Sequence, residues 1–203
     1  MPSEPGASAG RPPAAAEHTA AAMTPPLSAA ALVVIDVQCG WYLASPGPHD
    51  AAGTLARINL LIDRARAAGR PVLFIQHAEP PEYTPGTAGW ELHPALHRRP
   101  EDRVIGKSAC DAFLGTELDA ELRNHGVETL VVCGAATEFC VDTTVRSAAS
   151  HGFRVVVPAD AHATKDRPVL SASQIIAHHN WVWAEFSAPH PVTVVPAAGI
   201  SFR

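Results

Sequence analysis

Three residues of this chain carry groups that can do chemistry together: a thiol at Cys140, a carboxylate at Asp36 and an ammonium at Lys107. The thiolate is the nucleophilic form of cysteine, and a cation beside it lowers the pKa at which it forms. A carboxylate within reach can take that proton and give it back. The chemistry these groups support is attack on an electrophilic carbon through a covalent intermediate. Each residue also has a plainer reading, since free cysteine is among the most buried residue types. Where the three stand along the chain decides between the readings.

Each follows or closes an apolar run. Leu32-Val33-Val34-Ile35 leads into Asp36, Val104-Ile105-Gly106 leads into Lys107, and Val131-Val132-Cys133 stops at Gly134 before the turn to Cys140. Short β-branched runs of this kind predict strands, and the segment after Gly134 predicts a tight turn and a helix opening at Cys140. In an open parallel sheet the carboxyl ends of the strands line one crevice, so three residues distant in sequence converge there. A helix start also leaves unpaired N–H groups that favour an anion. On both counts Cys140 is expected to be more acidic than an ordinary thiol.

Asp36-Val37-Gln38 after the first strand, Lys107 at the end of the third and Gly134-x-x-Thr137-x-x-Cys140 opening a helix resemble the isochorismatase-like cysteine hydrolases. That family includes nicotinamidases, N-carbamoylsarcosine amidases and other small-amide hydrolases, and the likeness runs over roughly residues 31–196. The resemblance implies a catalytic triad of Asp36, Lys107 and Cys140. It also implies an oxyanion hole from the backbone N–H groups of Ala136 and Cys140, with a cis peptide between Ala135 and Ala136. Gln38, Trp41, His77 and Phe139 are the residues expected to meet a small-molecule substrate. The implied reaction is hydrolysis of an amide, ureide or carbamoyl C–N bond through a thioester. Two rivals stand beside it: vinyl ether hydrolysis of the isochorismatase type, which does not use this cysteine, and a non-catalytic thiol-sensing or binding protein.

Eleven histidines raise the question of a metal. Metal-dependent nicotinamidases carry Asp-x-His after the second strand, whereas this chain has Gln76-His77-Ala78-Glu79. No metal and no cofactor are expected. His178 and His179 are adjacent, which puts them on different faces of a helix. Gly134 stands without a glycine-rich phosphate loop around it.

The elements that must position these groups read as one domain over residues 30–203. Leu55, Ile58, Ile62 and Ala65 form a helical stripe ended by Gly69, and residues 71–77 form the second strand. The proline-rich stretch from Ala78 to Arg103 is a long loop of the kind that shapes pockets. Thr116-x-x-Asp119 reads as a capping box. Further strands are expected at 129–133, 154–158 and 192–195, and a helix at 171–185 with Ile175, Ile176, His179 and Val182 on one face. The alternation predicts a three-layer doubly wound α/β fold, with helices on both faces of six mostly parallel strands. Trp90, Trp181 and Trp183 are further candidates for an aromatic pocket wall.

Residues 1–29 are rich in Ala, Pro, Ser and Gly without periodicity and read as a disordered extension. A formal charge of −5 with no basic block argues against nucleic acid as the main partner, and no apolar run is long enough for a membrane span. Four cysteines without regular spacing signal neither a zinc ribbon nor a disulfide framework, which fits a reduced, cytoplasmic setting. The family resemblance implies a homodimer or tetramer.

Overall fold

The computed structural model describes Thr24 and residues 27–203. Its centre is β1 (Ala30–Ile35), every residue of which is buried. Such a strand is apolar on both faces because helices cover both faces of a parallel sheet. Alternate residues divide accordingly: Ala31, Val33 and Ile35 enter one core, and Leu32 and Val34 the other.

The remaining elements are α1 (Cys39–Tyr42), α2 (Ala51–Ala67), β2 (Val72–His77), β3 (Arg103–Lys107), α3 (Leu118–Asn124), β4 (Thr129–Ala135), a π-helical turn (Thr137–Val141), α4 (Asp142–Ser150), β5 (Arg154–Pro158), β6 (His162–Ala163), α5 (Ala172–Glu185), β7 (Thr193–Val195) and a short 3₁₀ turn (Ala197–Gly199). Strand order is β3-β2-β1-β4-β5-β7, with β6 attached to β4, and all pairs are parallel. Ile58, Leu61, Ile62 and Ala65 of α2 pack on one face of the sheet. Leu118 and Leu122 of α3, Val145 and Ala148 of α4 and Trp183 of α5 pack on the other. This is the expected three-layer doubly wound architecture, and the direction of winding reverses between β1 and β4.

Several expectations are corrected. The sheet has a seventh strand, the two residues of β6, because Gly134 and Ala135 extend β4 far enough to pair with His162 and Ala163. No capping box forms at Thr116: α3 starts at Leu118, and the Thr116 hydroxyl donates to the Ala112 carbonyl instead. Ser171 and Gln174 do form one, at the start of α5. On that helix the face to the core carries Ala172, Ile175 and Trp183, while Ile176 and Val182 are only half-buried. Of the N-terminal extension, residues 1–23, 25 and 26 lie outside the described residues. The Thr24 N–H is bonded to the Gly199 carbonyl, and Leu27 is bridged to Phe202.

Candidate active site

The register of the sheet brings the three chemical groups together. Ile35 pairs with Gly134 and with Ile75, and His77 pairs with Lys107, so the ends of β1, β2, β3 and β4 lie side by side. Asp36 follows Ile35 at φ 48°, a left-handed turn that takes the chain out of the sheet. The turn after β4 carries Cys140 back over the strand ends. Cys140 stands inside the π-helical turn and not at the first residue of a helix, which corrects the expected position. Thr137 anchors this turn. Its hydroxyl meets His162 Nδ1 at 3.0 Å, and His162 Nε2 meets Asn180 Oδ1 at 3.0 Å. Burial lowers the pKa of His162 to about 4, so the ring is neutral and Nδ1 accepts from the Thr137 hydroxyl.

Lys107 is the hub. Its Nζ lies 2.7 Å from Asp36 Oδ2, 2.9 Å from the Ala109 carbonyl, 3.0 Å from His77 Nδ1 and 3.2 Å from Cys140 Sγ. Lys107 and Asp36 are both buried, so the ion pair carries a desolvation cost that only close contact offsets. Burial raises the Asp36 pKa, and Lys107 opposes this only in part. For Lys107 burial acts downward, but Asp36 and Cys140 outweigh it and hold the ammonium above its usual range.

The expected acidification of Cys140 is not what the site provides. Burial first and the Asp36 carboxylate second push the thiol above its ordinary value, and Lys107 only moderates the rise. The reason is charge count, because a thiolate beside an ionised Asp36 would put two buried anions against one cation. Burial therefore favours keeping a proton on the Asp36–Cys140 pair.

A cleft of about 470 Å³ opens over these groups. Asp36, Gln38, Trp41, His77, Ala136, Phe139 and Cys140 all line it, which brings every expected site residue except Lys107 to its wall; Lys107 lies just beneath. The peptide between Ala135 and Ala136 is cis, as the resemblance implied. Trp90, Trp181 and Trp183 do not line the cleft. Trp183 is core, with its indole N–H donating to Asp142, and Trp181 is exposed on the outer face of α5.

Two of the four expected substrate contacts also have partners within the protein. The Gln38 amide donates to the carbonyls of His77 and Trp90 and accepts from the His77 N–H, so it ties the long loop to the strand ends. His77 has both ring nitrogens engaged, Nδ1 by Lys107 and Nε2 by Glu79 at 3.0 Å. Trp41 and the half-exposed Phe139 present their rings at the cleft, with a cation over each, Lys165 and Arg167 respectively. Glu79, Glu82, Tyr83 and Arg167, which the sequence did not single out, also line the cleft. The only signal for the first three was the irregular loop that carries them.

Asp36, His77 and Cys140 present donor atoms within 4.8 Å of one another, as a metal site would. These donors do not fit a metal ion, because the Lys107 ammonium already lies within 3.2 Å of all three and a divalent cation there would face its charge. Turnover should accordingly survive prolonged dialysis against EDTA. Activity lost to the chelator and restored by zinc, manganese or iron would show that the ammonium is displaced.

A model of the isochorismatase domain matches residues 30–174. The chain is 39% identical over 192 residues to a streptothricin hydrolase of Streptomyces noursei, covering 90% of this chain and 76% of that protein. It is 35% identical over 170 residues to a ureidoacrylate amidohydrolase of Methylobacterium radiotolerans, covering 64% and 65% of the two chains. Among solved structures, an isochorismatase family protein aligns with a TM-score of 0.76 at 34% identity, covering 82% of this chain and 98% of that one. N-carbamoylsarcosine amidase from Thermoplasma acidophilum aligns with a TM-score of 0.66 at 26% identity, covering 83% and 96%.

Proposed function

The chain belongs to the isochorismatase family of hydrolases, and from that premise we propose that it cleaves a C–N bond of a small amide, ureide or carbamoyl compound through a thioester on Cys140. The observation that carries this reading is the placement of Cys140 Sγ 3.2 Å from Lys107 Nζ, with the Asp36 carboxylate beside both on the floor of the cleft. The relatives named for amide and ureide substrates support it. Vinyl ether hydrolysis would leave this thiol without a task, and a sensor cysteine would have no need of a buried ion pair beside it.

As the sulfur attacks the substrate carbonyl, Asp36 takes the thiol proton, so no free buried thiolate has to form first. A raised carboxyl pKa makes Asp36 a better acceptor for that proton. The negative charge that develops on the substrate oxygen is taken by the backbone N–H groups of Ala136 and Cys140. Protonated Asp36 then donates to the leaving nitrogen, the C–N bond breaks, and an acyl thioester remains. In the second half Asp36 draws a proton from water as its oxygen adds to the thioester, and returns one to sulfur as the acid departs. Lys107 keeps its charge throughout and balances whichever partner is anionic.

The test is a panel of small amides and ureides assayed with wild type and Cys140→Ala. Turnover by wild type, its loss in the variant, and an acyl adduct on Cys140 seen by mass spectrometry in a rapidly quenched reaction are the expected results. Equal turnover by the two proteins would remove the thioester. We also propose that the protein is a cytoplasmic homodimer or tetramer, which cell fractionation and sedimentation would check.

A further inference from the structure

His77 belongs to no step of this mechanism, yet its ring meets the Lys107 ammonium directly. Its Nδ1 lies 3.0 Å from Lys107 Nζ and its Nε2 lies 3.0 Å from Glu79 Oε2, with the Tyr83 ring against its edge at 6.0 Å between centroids. An ammonium can only donate, so the Nδ1 it meets must be bare. Nε2 then carries the ring proton, and the Glu79 carboxylate, which can only accept, fixes that tautomer. An ammonium also has three N–H groups in tetrahedral array. With one held by the Ala109 carbonyl and one by His77, the third is left to Asp36 Oδ2 at 2.7 Å and Cys140 Sγ at 3.2 Å, which share it.

We propose that His77 and Glu79 are positioning residues, a relay in which Glu79 holds His77 in the Nε2–H tautomer and the bare Nδ1 fixes the Lys107 ammonium between Asp36 and Cys140. This rests on the assignment of Lys107 and Cys140 to the reaction, and it replaces direct substrate contact as the task of His77. The geometry separates the two tasks. The side-chain oxygen of asparagine stands where histidine carries Nδ1, and that of glutamine reaches where histidine carries Nε2. His77→Asn thus keeps the acceptor for Lys107, whereas His77→Gln keeps only an outward-facing polar group.

In the positioning role His77→Gln lowers kcat by roughly 10- to 100-fold with little change in KM, the scale of a reacting group displaced by about 1 Å. His77→Asn stays close to wild type. Alkylation of Cys140 by iodoacetamide across pH needs no substrate and follows the same split, slowed in His77→Gln and not in His77→Asn. Glu79 is exposed, so its variants fold, and Glu79→Gln, which still accepts the ring N–H, should outperform Glu79→Ala in both measurements. Rescue by glutamine in place of asparagine, with KM the parameter that moves, would overturn the proposal in favour of substrate contact. Equal behaviour of both His77 variants in the alkylation series would overturn it as well. Should no amide be turned over while the alkylation split holds, the relay stands and the assigned reaction is what fails.

Discussion

Replacing Asp36 with asparagine is expected to lower kcat/KM by roughly 10²- to 10⁴-fold, the range of general acid–base catalysis, because this carboxyl moves a proton in both halves of the reaction. Asparagine fills the same volume and can still accept from Lys107, so the far-UV circular dichroism should match wild type. The pH profile carries a second sign of the same residue. Asp36 accepts the thiol proton only when ionised, and burial raises its pKa, so in wild type the acid limb of kcat/KM must fall at a higher pH than an ordinary carboxylate would give. Activity is then lost as pH falls through that raised value. The alkaline limb reports loss of the last proton from the Asp36–Cys140 pair or of the Lys107 charge, both held above their ordinary values. Between the limbs the rate should be flat. Steady-state rates against pH for both proteins decide it, and an Asp36→Asn variant that works at wild-type rate would remove the proton shuttle.

That profile depends on something composition and spacing do not carry. Asp36, Lys107 and Cys140 were readable because each sits at the exit of an apolar strand, and a parallel sheet gathers such exits in one place. The direction of the Cys140 shift was not readable. It depends on how much water the fold removes from the thiol and on the closeness of Asp36, both set by packing across segments about 100 residues apart. The same limit hid the task of His77. Its two partners are Glu79, two residues on, and Lys107, 30 residues on, and only the β2–β3 register makes the second one visible. Thr137 was conspicuous in its motif, while His162, which holds it, looked like one histidine among many. The sixth strand of two residues lay below what periodicity detects, since two residues have no period.

The largest structural effect is expected at Gly134, where the fold and the site are one problem. Gly134 is the partner of Ile35 in the β1–β4 register, and Ile35 is the residue before Asp36. Its φ of +120° is a conformation that L side chains rarely adopt. A methyl group there would also meet Ile35 O at 2.1 Å and Ile35 N at 2.7 Å, both backbone atoms of a fully buried strand that cannot rotate away. Either β4 retreats from β1 or β1 shifts, and each movement separates the turn bearing Cys140 from Asp36. Gly134→Ala should therefore destabilise by more than about 4 kcal/mol, in the exceptional class of single substitutions, and any folded fraction should lose at least about 100-fold in kcat/KM from misplacement of the reacting groups. Gly106→Ala is the matched control. Gly106 immediately precedes Lys107 in β3, but an added Cβ meets nothing within 4 Å, so this variant should lie within about 1 kcal/mol of wild type. Urea denaturation of the two variants separates the cases. A Gly134→Ala protein that unfolds at the wild-type midpoint would mean that the close approach of β4 to β1 is not what brings Cys140 to Asp36.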